Sequence, residues 1–108
     1  MIEITLFYQE ENLIGIESKG HSGYAERGSD VVCAAVSVLM QSLILGLSAI
    51  AQVNGLNCDV DKKIPLIRLA WPKEQSEKIS LLTRTAAESL KVIAEENPDY
   101  VKVHTEEF

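Results

Sequence analysis

Two side chains able to do covalent chemistry stand near each other in the first third of the chain. They are His21 and Cys33, within Gly20-His21-Ser22-Gly23-Tyr24-Ala25-Glu26-Arg27-Gly28-Ser29-Asp30-Val31-Val32-Cys33-Ala34-Ala35-Val36-Ser37. A cysteine attacks carbon as its thiolate, and the unpaired N–H groups and dipole at a helix start favour that form. Ser29 or Asp30 is suited to cap a helix starting near Val31, which predicts Cys33 in the first turn. The glycines Gly20, Gly23 and Gly28 give the intervening loop the backbone freedom to fold His21 back toward the sulfur. A Cys–His pair of this kind performs acyl transfer, the thiolate attacking a carbonyl and the imidazole protonating the leaving amine. The N–H groups around Cys33 are candidates for holding the negative charge that develops on oxygen.

Each of these residues also has a plainer role. A cysteine in an apolar helix commonly packs as a small hydrophobe. Asp30 either orients His21 or only caps the helix. Ser37, one turn beyond Cys33, either steadies the thiolate or a bound carbonyl, or bonds its own backbone. Cys58 alternates within a short apolar run and is expected in the core, and His104 is expected on the solvent side of a strand. Two Cys and two His without close paired spacing do not make a structural zinc site, and the glycines lack the spacing of a phosphate-cradling loop. No metal and no cofactor is expected.

The elements that must position the pair follow from periodicity. Ile2, Ile4, Leu6 and Tyr8 alternate with Glu3, Thr5 and Phe7, and Leu13 to Lys19 resumes the pattern after a polar break, so a hairpin is predicted. A helix runs from Val31 to about Ala51, stopped by a left-handed Asn54-Gly55. Leu56, Cys58 and Val60 predict a third strand, Pro65 to Trp71 a fourth, and Pro72 the start of a second helix with Glu74 and Glu77 in its early turns. Ile79, Leu82, Ala86, Leu90 and Ile93 give that helix one apolar face. Asn97-Pro98 ends it, and Tyr100 to Thr105 predict a last short strand. The order ββαββα(β) implies a single α+β domain over residues 1–108, two-layered, with a mainly antiparallel sheet packed by two helices.

Composition sets limits on partners. The chain is acidic, with net charge −6, which argues against direct nucleic-acid binding and suits a basic partner. Two cysteines are too few for a secreted disulfide framework, and the N-terminal residues lack a signal-peptide pattern, so a reducing cytoplasm is expected. Val31 to Ala51 is long enough to span a bilayer, but Ser37, Gln41, Ser42 and Ser48 interrupt it and flanking Lys/Arg and aromatic anchors are missing. The expectation is a buried helix, covered by a sheet on one side and a second subunit on the other, with no membrane.

The stretch from Gly20 to Ser37 resembles the signature of the ribosomal-processing cysteine protease family Prp (YsxB-like). That signature joins Gly-His-x-Gly, here Gly20-His21-Ser22-Gly23, to Asp-x-Val-Cys-Ala-Ala-x-Ser, here Asp30-Val31-Val32-Cys33-Ala34-Ala35-Val36-Ser37. Ala25 and Gly28 also fit. The resemblance implies a homodimeric cytoplasmic bacterial peptidase. Its implied substrate is the twenty-seventh large-subunit ribosomal protein, trimmed of a short N-terminal extension at an aromatic-rich motif resembling Asn-Leu-Gln-Phe-Phe. It further implies that Cys33 is the nucleophile, that His21 is the general base and acid, and that the loop from Gly23 to Ser29 closes over the peptide. Two other functions fit the residues alone: a non-catalytic ribosome-associated binding protein or assembly factor, and a redox-sensing thiol protein with Cys58 as partner of Cys33.

Overall fold

The computed structural model describes residues 1–20 and 29–108, with the backbone alone for Ser29 and Asp30. Strands β1 (Ile2–Gln9) and β2 (Asn12–Lys19) form the expected antiparallel hairpin. Its two turn residues, Glu10 and Glu11, both take positive φ (49° and 68°), the backbone twist that two-residue hairpins favour. Helix α1 (Ser29–Leu45) leads to β3 (Asn57–Asp61) and β4 (Leu66–Ala70); helix α2 (Ser80–Glu96) leads to β5 (Val101–Glu107). The sheet order is β3-β4-β2-β1-β5. Pairings are antiparallel except β5, which runs parallel to β1 with Ile2 opposite Val101. The mainly antiparallel α+β architecture is as the sequence predicts, but the last strand makes the sheet mixed, because α2 carries the chain back across it before β5 begins.

The alternation that predicted β1 and β2 decides the core. Ile4 and Leu6 sit opposite Ser18 and Ile16 and are fully buried. They pack with Leu13, Leu69 and Val101, with Val32, Val36, Met40, Leu43 and Leu47 of α1, and with Ala86, Ala87 and Leu90 of α2. The inner face of α1 is therefore a core face. Val31–Ile50 is apolar and long enough to cross a membrane by length and composition, but its inner residues Val32, Val36, Met40, Leu43 and Leu47 are buried in the core. The outer face carries Val31, Val38 and Leu45 in the open, each more than 60% exposed (71%, 62% and 62%).

Three local expectations need correction. Cys58 is exposed, not core. Its register with Leu69 puts it on the helix-facing side, but β3 is the outermost strand and all five of its residues are exposed. Period two reports alternation and cannot report which strand lies at an edge. The first helix ends near Ala51 as expected, its last turn widened into a π-turn over Gly46–Ile50 and closed by Ala51 N–H donating to the Gly46 carbonyl at 2.8 Å, but Asn54-Gly55 does not supply the stop. Gln52 then takes the left-handed conformation (φ 50°), and Gly55 (φ 78°) forms a later turn against Pro72.

The second helix does not start at Pro72. Pro72 opens a 3-10 turn over Lys73–Gln75, so Glu74 and Glu77 precede α2. Tertiary bonds hold this segment away from a helical path. The Trp71 Nε1–H donates to the Leu13 carbonyl at 2.9 Å, Ser76 Oγ–H donates to the same oxygen at 3.2 Å, and Lys73 pairs with Glu10. Trp71 is buried, so Trp71→Phe removes one of two donors and leaves a smaller ring. A loss of about 1–3 kcal/mol is expected, read as a lower urea midpoint at unchanged m-value.

Candidate active site

Cys33 is the fifth residue of α1, half-buried and packed on the edge of the core. It stands one position further in than a cap at Ser29 implies. Around it lies a cleft of about 350 Å³, within the usual range for ligand sites. One wall is α1, contributing Cys33, Val36, Ser37 and Gln41. The floor is Ile2, Ser18 and Ile67, and the far lip is Val60, Asp61, Lys62, Pro65 and Leu66, where β3 turns into β4. The lip is fixed at both ends. Asp61 Oδ1 accepts the N–H groups of Lys63 (2.9 Å) and Ile64 (3.3 Å), and the Pro65 carbonyl accepts the Gly20 N–H at 2.8 Å.

Gly20 also lines the cleft. Its φ is +96°, and a β-carbon there would fall 2.5 Å from the Met1 carbonyl oxygen. Only glycine fits where β2 ends at this wall.

Of the residues singled out by chemistry, Cys33, Ser37 and Gly20 share this one cleft. Asp30 lies in the first turn of α1. His21, Gly23 and Gly28, with the segment from Gly23 to Gly28, lie outside the described residues. The helix-serine role expected of Ser37 is not observed. Ser48, Thr85 and Ser89 each donate to the carbonyl four residues earlier, whereas Ser37 makes no hydrogen bond among the described residues and faces the cleft. His104 is on the strand β5, half-exposed and 3.5 Å from Glu3, as expected. Both cysteines are free thiols. No group of three or more metal-ligating side chains occurs among the described residues.

Nothing local marks the floor and the lip, because Ile2, Ser18, Val60 and Leu66 are apolar or neutral strand residues that only the sheet order brings to α1. Gln41 also lines the cleft and repeats the four-residue step from Cys33 to Ser37, a spacing visible in the sequence. A larger, shallower groove of about 580 Å³ runs along the outer side of α2 past Leu81, Arg84 and Glu88. It holds neither a thiol nor an imidazole.

Cys33 thus stands on a helix at the wall of a cleft whose far lip is formed where the outer strand β3 turns into β4. Comparison with known proteins gives the class. The sequence profile of the family described as "Cysteine protease Prp" matches residues 1–102, and the chain belongs to that family. It is a cysteine protease. A curated relative from Mycoplasma genitalium, the ribosomal processing cysteine protease Prp, is 28% identical over 91 residues, covering 84% of this chain and 87% of the relative. A crystal structure of a Streptococcus mutans protein superposes with a TM-score of 0.84 at 28% identity, covering 100% of this chain and 96% of that one. The fold is also that of the Staphylococcus aureus ribosomal processing protease Prp in complex with a substrate peptide (TM-score 0.84, 18% identity, 98% of this chain and 100% of that one). Membership of the protease family sets aside the non-catalytic binding protein and the redox sensor as primary functions.

Proposed function

We propose that the enzyme is an endopeptidase that removes a short N-terminal extension from a bacterial ribosomal protein. By the family signature, the substrate is the twenty-seventh protein of the large subunit, cut at an aromatic-rich motif. The observation that carries this reading is the convergence of Cys33, Ser37 and Gly20 on one cleft, in a chain whose relatives are ribosomal processing proteases by name. The cleft is lined chiefly by Ile2, Val36, Val60, Pro65, Leu66 and Ile67, an apolar surface suited to large side chains of a peptide. The acidic chain suits a basic ribosomal protein as partner and repels RNA.

Cys33 is the nucleophile and His21 the general base and acid. Gly20, the residue before His21, lines the cleft that Cys33 enters. The Cys33 thiolate adds to the scissile carbonyl carbon, and the developing oxyanion is held by N–H donors at the site. The intermediate collapses as imidazolium gives its proton to the departing amine, leaving a thioester on Cys33. Neutral imidazole then takes a proton from water, whose oxygen attacks the thioester; the new N-terminus has already left, and collapse frees the acid and the thiol. Asp30 supports His21 or the start of α1. Free thiols at Cys33 and Cys58 suit a cytoplasmic setting.

The working enzyme is a homodimer, with the uncovered apolar face of α1 at the interface. Val31, Val38 and Leu45 on that face are open to solvent, and desolvating them against a second copy is favourable by about 25 cal/mol per Å². Val38→Glu is expected to shift the protein from dimer to monomer in sedimentation velocity, with its far-ultraviolet circular dichroism unchanged. A dimer that persists in this variant rules out the α1 face as the interface. For the activity, mass spectrometry of a peptide spanning the extension should show one wild-type cut at the aromatic-rich motif. An intact peptide, with Cys33 freely alkylated, would remove this substrate.

A further inference from the structure

Gln41 is the cleft residue for which the protease chemistry has no use. It is exposed, it lines the same wall as Cys33 and Ser37, and among the described residues its carboxamide makes no hydrogen bond. Cys33, Ser37 and Gln41 stand at i, i+4 and i+8 on α1. Residues four apart form one ridge on a helix surface, inclined by roughly 26° to the axis, so the three follow a slanting row along the wall. At about 1.5 Å rise per residue, successive members of the row are about 6 Å apart along the helix. An extended peptide turns the same backbone edge toward one side every second residue, at about 6.6–6.8 Å. The two repeats match.

We infer that Gln41 is a substrate-positioning residue that pairs with the main chain of the bound peptide. Resting on the protease reading above, the peptide lies extended along the Cys33–Ser37–Gln41 ridge. Its reacting carbonyl is at Cys33 and its next inward-facing peptide group is at Ser37. Gln41, about 12 Å from Cys33 along the helix, meets a peptide group three or four residues from the cut bond. A carboxamide has the donor and the acceptor that a peptide group requires, and pairing with the backbone is blind to side chain. Side-chain selection then falls to the opposite wall, where Val60, Pro65, Leu66 and Ile67 are apolar. Gln41 thus sets register, and the lip sets sequence preference.

The test is calorimetric binding of a peptide containing Asn-Leu-Gln-Phe-Phe to Cys33→Ala, which leaves it uncut, and to Cys33→Ala carrying Gln41→Leu. The expected result is about tenfold weaker binding with Gln41→Leu, the usual scale of one or two hydrogen bonds. In otherwise wild-type enzyme the same substitution should raise KM about tenfold and leave kcat within twofold. A series of peptides N-methylated at one residue each gives the register. One methylation, three or four residues from the cut bond, should weaken binding to Cys33→Ala and have no further effect once Gln41 is leucine. Equal affinity with and without Gln41→Leu overturns the inference, as does a methylation penalty at every position independent of Gln41. A wild-type enzyme that leaves the peptide uncut overturns the substrate assignment instead, and tenfold tighter binding in the presence of Gln41 would still uphold its pairing role.

Discussion

Replacing Cys33 with alanine is expected to abolish cleavage, lowering kcat/KM on the ribosomal-extension peptide by on the order of 10³-fold or more. The size follows from chemistry. Alanine offers no atom that can form the thioester, and water at the same position is a poorer nucleophile held by nothing. The fold should tolerate the change, because Cys33 is half-buried at the margin of the core and the substitution removes one sulfur atom. Thermal midpoint and circular dichroism should stay close to wild type, which separates loss of chemistry from loss of structure. Residual activity within tenfold of wild type would mean that another group attacks the peptide, and the assignment of Cys33 would fail.

Gly20→Ala is expected to have the largest effect of any single methyl group in the described structure. It incurs two costs at once. The positive φ of 96° is a conformation that side-chain-bearing residues avoid, and the new β-carbon would lie 2.5 Å from a backbone oxygen, that of Met1. A backbone oxygen cannot rotate aside as a side chain can. Together these should destabilise the protein by about 2–4 kcal/mol, a fall in thermal midpoint of on the order of 10 °C or more. Gly55→Ala is the internal comparison. Its φ is also positive (78°), but the close contact is with the Pro72 ring, so its loss should be smaller. Differential scanning calorimetry of both variants checks the order. A Gly20→Ala protein as stable as Gly55→Ala would show that β2 does not need glycine at its end.

Most of the fold was legible because its signals are local. Alternation in Ile2 to Tyr8 and the three-and-four spacing from Ile79 to Ile93 each state a period, and the period states the element. What sequence periodicity lacks is neighbourhood. Cys58 has the alternation of a core strand and lies exposed because β3 has no neighbour on one side. Pro72 has the local chemistry of a helix start, but the hydrogen bonds from Trp71 and Ser76 to Leu13 hold the segment elsewhere. The site divides the same way. Cys33 was legible from type and context, and Ser37 from its one-turn offset, whereas Ile2, Ser18 and Leu66 join the cleft only through strand order. His21 lies outside the described residues, and its pairing with the thiol is proposed from chemistry and the family signature.

The parallel pairing of β1 with β5 bears on the order in which the chain can be completed. Ile2 lies opposite Val101 and Tyr8 opposite Glu107, so β1 meets this neighbour only after β2, β3, β4 and both long helices have been passed. Until then β1 has its hairpin partner on one side and an unpaired row of amides and carbonyls on the other. The floor of the cleft includes Ile2, the residue that opens this late-paired strand. A growing chain on the ribosome can therefore assemble the hairpin and α1, and even carry Cys33 into solvent, without a finished binding surface. Closure of so long a loop is slow compared with local folding. Completion of the cleft floor therefore waits on that slow closure rather than on the hairpin.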